Sequence, residues 1–151
     1  MNDCDTSRGR GQALTEFALV VPILLLLVFG IFELARFIFD YETLNNAVRE
    51  GVRYAIVHGA ASSCPSEPGY QCPYGSPSAT VEAYAFTLNP SDLTVTVCWG
   101  AGCSPGNNTS QSAARGTPVT VSATYTWRPL INLVSLPSIV IKGTSTDVIN
   151  N

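Results

Sequence analysis

Charge is scarce in this chain of 151 residues, because only 13% of them are Asp, Glu, Lys or Arg. The formal net charge is -3, and beyond His58 the few charged side chains form no cluster. A protein that binds nucleic acid presents a dense basic face, since contacts with phosphates supply much of the affinity. The sequence therefore predicts no nucleic-acid partner.

Histidine is also scarce, and His58 is the one histidine of the sequence. No Ser/His/Asp set, pair of carboxylates or phosphate-binding loop stands out, which leaves little means of acid–base catalysis. His58 lies at the end of a predicted helix, where an imidazole is more often a cap that the helix dipole favours. We therefore predict that the chain is not an enzyme and uses no cofactor.

Cysteine is present but not in a pattern typical of a metal site. Neither cysteine spacing is a close CxxC pair, and a single histidine could assist, so zinc is the weaker interpretation. Cys4 lies near the N-terminus, and the other four cysteines allow three pairings, among which the sequence does not choose. The two local pairs are preferred because each closes a loop rich in proline or glycine. Disulfide bonds in turn indicate an oxidising compartment. The candidates are Cys64, Cys72, Cys98 and Cys103.

A single long apolar run, from Phe17 to Phe32, contains no charged residue. With its apolar flanks it reaches about the 20 residues that a helix needs to cross a bilayer. Pro22 lies inside the run, and membrane helices tolerate proline. A secretory signal peptide is the alternative, but its apolar core is normally shorter and ends at a cleavage site between small residues. The sequence favours a retained membrane anchor.

Positive charges predict the orientation of this anchor. Arg8 and Arg10 directly precede it, whereas Arg36 beyond it is offset by three nearby carboxylates. By the positive-inside tendency, the N-terminus is cytoplasmic and the remainder of the chain is extracytoplasmic. The predicted product is a single-pass membrane protein.

The helical pattern continues past the membrane, with apolar residues at steps of three and four. A helix from about residue 12 to 58, with Gly59 as a left-handed cap, would be about 70 Å long, so its outer half needs a surface to pack on. The predicted apolar stripe consists of Phe37, Tyr41, Leu44, Val48, Val52 and Ala55.

The C-terminal region alternates in the manner of strands. Strands are predicted at 93–99, 119–127 and 139 to about 146, with a turn of helix at 130–136. Ser76 and Pro77 begin a predicted short helix, although residues 81–85 also fit a strand. Three strands with one apolar face need a covering helix.

The predicted fold class is α+β, a long N-terminal transmembrane helix packed outside the membrane on a small antiparallel sheet. The predicted divisions are a leader at 1–11, the helix at 12–58 and an extracytoplasmic α+β domain at 59–151.

Glu16 is a carboxylate inside the start of the predicted membrane helix, five residues after Gly11. A charge within a bilayer costs at least about 2.5 kcal/mol on insertion scales, so a role is expected for it. The alternative is a carboxylate at the edge of the bilayer, hydrated by the headgroups.

Three segments together resemble the TadE/TadG family, pilin-like proteins of the tight-adherence branch of bacterial type IV pilus systems. They are Gly11 followed by QALTEF, the anchor VVPILLLLVFGIFELAR, and NNAVREGVRYA at 45–55. A weaker likeness lies at 114–130.

The resemblance implies that a prepilin peptidase cuts between Gly11 and Gln12. It also implies that Glu16 pairs with the N-terminal amine of a neighbouring subunit, and that the partners are other pilin-like subunits and the pilus assembly machinery. The outer domain is longer than that of a minimal major pilin, which favours a minor pilin or pseudopilin involved in assembly and adhesion. The alternative is an anchored extracytoplasmic binding module that is never cleaved.

Overall fold

The computed structural model describes residues 6–68, 72–73, 75–104, 112–130 and 138–150. The chain forms two compact units, Met1–Arg36 and Phe37–Asn151. Residues 131–136 of the predicted helical turn lie outside the described part of the chain. The elements are α1 (Thr6–Val57), α2 (Pro77–Tyr84), a 3-10 turn (Pro90–Asp92), β1 (Leu93–Trp99), β2 (Pro118–Trp127) and β3 (Ile139–Val148).

The first unit is the N-terminal part of α1. The stretch Gln12–Val57 is long and apolar enough to cross a membrane, and its most apolar 18-residue window has a mean hydropathy of 2.7. None of that window is buried within the protein. The helix begins at Thr6, whereas the sequence predicted a start at about residue 12. The predicted start was inferred from where the apolar residues begin, but polar residues form helical hydrogen bonds as well.

The second unit contains an antiparallel sheet in the order β1-β2-β3. Its register places Val97 beside Val121 and Ala123 beside Gly143, so that one face collects the alternating small and branched apolar residues. β1 has its predicted bounds, whereas β2 begins one residue earlier and β3 ends two residues later than predicted. The sequence pattern thus identified all three strands.

The C-terminal part of α1 packs on the apolar face of this sheet, which confirms the predicted α+β fold. Each fully buried aliphatic side chain in this core contributes about 1.5–3 kcal/mol to stability. Phe37 meets Trp127 edge-on, with the ring centroids 5.4 Å apart. The helix contributes Leu44, Ala47, Val48, Val52 and Ala55 to the core, and the sheet contributes Val119, Val121, Ala123 and Ile141.

The predicted apolar stripe is wrong at Tyr41, whose side chain is 43% exposed. Asp40 and Tyr41 both lie about one helical turn from Phe37, and Asp40 is the residue that is buried. The choice of Tyr41 followed hydrophobicity, whereas the place where the sheet meets the helix decides which of the two residues is buried.

The end of α1 differs from the prediction as well, since Gly59 is not among the described glycines with positive φ. Ser66 caps this end instead. Its Oγ donates a hydrogen bond to the carbonyl oxygen of Ala55 at 3.0 Å, and its backbone N–H donates one to the carbonyl oxygen of His58 at 2.7 Å. The His58 ring nitrogen Nδ1 lies 2.9 Å from the Tyr54 carbonyl oxygen. These contacts satisfy the carbonyls of Tyr54, Ala55 and His58 without a left-handed residue.

The short helix α2 confirms the predicted helix over the strand alternative. Ser76 Oγ accepts from the backbone N–H of Ala79 at 3.1 Å, and Pro77 occupies the first turn. Val81 of α2 approaches α1 so closely at Gly51 that a Cβ there would lie 2.5 Å from its Cγ2 atom. The glycine therefore sets the distance between the two helices.

Candidate functional site

Gln12 and Glu16 lie one turn apart on α1, and their side chains are in contact. Gln12 Nε2 donates a hydrogen bond to Glu16 Oε1 at 3.2 Å, and both side chains are exposed. The helix places them together because residues four apart share a face. Thr15 Oγ1 also donates to the Gln12 carbonyl oxygen, at 2.8 Å. This turn thus presents one carboxylate with a single amide donor beside it.

The surroundings of Glu16 along the helix are apolar and are not covered by the protein. Leu14, Phe17 and Leu19 expose 68%, 67% and 72% of their surface, respectively. A bilayer would cover such a surface favourably, at about 25 cal/mol for each Å² of apolar area removed from water. The carboxylate would then lie in a medium in which an ion needs a partner.

The opposite end of the apolar segment carries a second polar pair. Arg36 Nη1 lies 3.6 Å from Glu33 Oε2, three residues earlier on the same helix. The apolar segment that ends at Phe32 is therefore followed by residues able to meet a membrane–water interface.

The four candidate cysteines form two disulfide bonds in the second unit. Cys64 is joined to Cys72, with their Cα atoms 5.7 Å apart, and Cys98 is joined to Cys103, with Cα atoms 6.0 Å apart. Both Cα distances are usual for a disulfide. These are the two local pairs preferred from the sequence. No group of three or more potential metal ligands occurs among the described residues.

A cavity of about 400 Å³ lies in the second unit, between the end of α1 and the strand β1. Tyr54, Glu67, Val97 and Trp99 are among the residues that line it. Tyr54 donates through its hydroxyl to the Gly75 carbonyl at 3.2 Å, which fixes one wall. The cavity thus combines aromatic walls with one carboxylate.

Glu67 connects two loops beside this cavity, a role that the sequence did not indicate. Its Oε1 accepts from Ser112 Oγ and from the backbone N–H of Ala113, both at 3.3 Å. The partners are more than 40 residues away in sequence. No short-range signal could have identified them, whereas the contact of Gln12 with Glu16 follows from helical spacing alone.

Comparison with known proteins identifies one family. The family model described as TadE-like protein matches residues 11–53. The match begins at Gly11, includes Gln12 and Glu16, and ends near the C-terminal end of α1, before any strand. No curated protein matches the chain. No solved structure matches it either.

Proposed function

The chain is TadE-like over residues 11–53, and on that basis we propose that it is a minor pilin or pseudopilin of a tight-adherence pilus. A TadE-like segment indicates a membrane protein associated with this pilus. The finer proposal is that a prepilin peptidase cuts between Gly11 and Gln12 and releases a mature subunit that begins at Gln12. That subunit joins other pilin-like subunits through the assembly machinery and contributes to surface adhesion.

The observation that carries this proposal is the position of Glu16 in an uncovered apolar helix. Its neighbour Gln12 supplies a neutral donor and no positive charge. A cut before Gln12 would create a cationic amine one turn away from Glu16. The amine of a neighbouring subunit could then neutralise the carboxylate, whereas a subunit without that partner would bear the cost of an unpaired charge.

The second unit supports an extracytoplasmic location for residues beyond the anchor. Its two disulfide bonds are typical of an oxidising compartment. The cut would also remove Arg8 and Arg10, which hold the N-terminus on the cytoplasmic side of the membrane. A subunit that has lost both charges leaves the membrane more easily to enter a fibre.

An anchored binding module that is never cut is the second candidate. The cavity lined by Tyr54, Glu67 and Trp99 favours it, because aromatic walls with a convergent polar group are usual in ligand sites. The two candidates differ in processing, and processing is therefore the property to test.

The test is to determine the N-terminus of the membrane-bound protein with and without a co-expressed prepilin peptidase. We expect Gln12 as the first residue only in the presence of the peptidase. Gly11→Val should block the cut, because it places a branched side chain beside the scissile bond. Gly9→Val is the matched control and should still be cut. An uncut wild-type chain in both samples would reject the pilin proposal and leave the binding module.

A further inference from the structure

The residue that the proposed cut exposes, Gln12, is chemically unusual as a chain end, and the inference that follows rests on the proposed function. Its side chain is exposed, and its carboxamide already contacts Glu16 through the 3.2 Å hydrogen bond. In the uncut chain its backbone nitrogen is a peptide amide, whose lone pair is delocalised into the carbonyl. The cut converts that nitrogen into a primary amine.

An N-terminal glutamine carries a nucleophile and an electrophile within one residue. The uncharged α-amine attacks Cδ of the carboxamide, a new N–Cδ bond closes a five-membered lactam, and the Cδ–Nε2 bond breaks. Nε2 takes up the proton that the attacking nitrogen loses and departs as ammonia. The product is pyroglutamate, and neither an oxidant nor a co-reactant is required.

We propose that Gln12 is a modification site at which the cut subunit cyclises, and that cyclisation ends its ability to assemble. A free α-amine is largely protonated near neutral pH, whereas the lactam is neutral. The cyclised chain end therefore offers no cation to the Glu16 of a neighbour.

Cyclisation also affects the subunit's own Glu16. The lactam lacks Nε2, so the hydrogen bond from Gln12 to Glu16 is lost. Because Leu19 and Val20, three and four residues further along the helix, present exposed apolar surface next to this carboxylate, each lost partner raises the cost of keeping it charged there. Cyclised subunits are expected to remain in the membrane while uncyclised ones enter the fibre, which gives each subunit a limited time for assembly.

The experiment is mass spectrometry of the N-terminal peptide from the full-length protein co-expressed with a prepilin peptidase, with membrane and fibre fractions prepared separately in the cold. The lactam is about 17 Da lighter than the open form, the mass of one ammonia. We expect the share of lactam to be about tenfold higher in the membrane fraction than in the fibre fraction. A tenfold ratio corresponds to about 1.4 kcal/mol, and the loss of an ion-pair partner costs more than that. Within that fraction, the share should rise with time after synthesis.

Gln12→Asn is the matched control, because it keeps the carboxamide but is one methylene shorter. Attack by its α-amine would close a ring of only four members, so the α-amine of this variant stays free and no lactam is expected at the chain end. The open end should keep a larger share of this variant in the fibre than of the wild type.

Three results would overturn the inference while leaving the proposed function intact. The first is a cut wild-type chain whose N-terminal amine is free throughout. The second is a lactam share that is equal in both fractions, and the third is a lactam that forms only after lysis. An uncut chain in every sample would reject the proposed function and this inference together.

Discussion

At the scale of single residues, Glu16 combines two properties that seldom occur together. It is charged, and its neighbours on the helix are exposed apolar side chains. A lone carboxylate in such a segment is unfavourable in a bilayer, so its presence calls for a compensating partner. Gln12 supplies a hydrogen bond from the same helix, and the proposed assembly supplies a cation from a neighbouring subunit.

Replacing Glu16 tests this compensation. Glu16→Val should leave membrane insertion intact, because it removes a charge from an apolar segment. Incorporation into fibres should fall at least about tenfold, since the ion pair between subunits is lost. The measurement is the ratio of fibre-bound to membrane-bound protein on immunoblots.

Glu42→Val is the matched control for this substitution. Glu42 is an exposed carboxylate on the same helix, but it lies beyond the apolar segment. Its replacement should not change the fibre-to-membrane ratio. Normal incorporation of Glu16→Val would remove the pairing role from Glu16.

At the scale of elements, the contact between α1 and α2 depends on the absence of a side chain at Gly51. A Cβ at this position would lie 2.5 Å from Val81 Cγ2 and 3.1 Å from the Pro77 carbonyl oxygen. Val81 is fully buried, and the Pro77 atom is backbone, so neither moves without disturbing the core. Helix propensity alone would favour alanine here.

Gly51→Ala should therefore destabilise the protein despite the better helix propensity of alanine. Overpacking of a core costs about 1–3 kcal/mol. The higher helix propensity of alanine relative to glycine offsets less than about 1 kcal/mol of this cost. We expect a net loss of about 1–2 kcal/mol in the free energy of unfolding, measured by denaturant titration in detergent.

Gly30→Ala provides the comparison, because a Cβ at Gly30 would meet nothing within 4 Å. This variant should unfold at the wild-type denaturant concentration or slightly above it. Equal stability of the Gly51 and Gly30 variants would show that the helix contact tolerates a methyl group.

At the scale of the whole molecule, the two disulfide bonds connect the fold to its compartment. Each closes a short loop, with sequence separations of 8 and 5 residues. In the chain-entropy description, such loops stabilise the folded state by about 2–2.5 kcal/mol each. A protein folded in a reducing compartment would lack this contribution.

Reduction should consequently lower the free energy of unfolding by about 2 kcal/mol for each bridge. The check is denaturant unfolding of the purified protein with and without a reductant. The double variants Cys64→Ser/Cys72→Ser and Cys98→Ser/Cys103→Ser separate the two contributions. A chelator is the control, and a loss of stability caused by the chelator instead of the reductant would favour a metal site.

The sequence by itself determined much of this molecule, because the signals involved are local. The apolar run needs only length and composition, the three strands need only alternation, and the contact of Gln12 with Glu16 needs only helical spacing. The N-cap at Ser76 is likewise a short-range pattern. The local disulfides were preferred because each closes a loop rich in proline or glycine.

The tertiary structure decided what depends on residues distant in sequence. Burial of Asp40 in place of Tyr41 follows from where the sheet meets the helix. Ser66 replaces Gly59 as the cap because the loop folds back onto α1, and Glu67 gains its partners only when residues 112–113 reach it. Such contacts form between segments that are far apart in sequence and meet only in the folded chain, so local residue patterns could not reveal them.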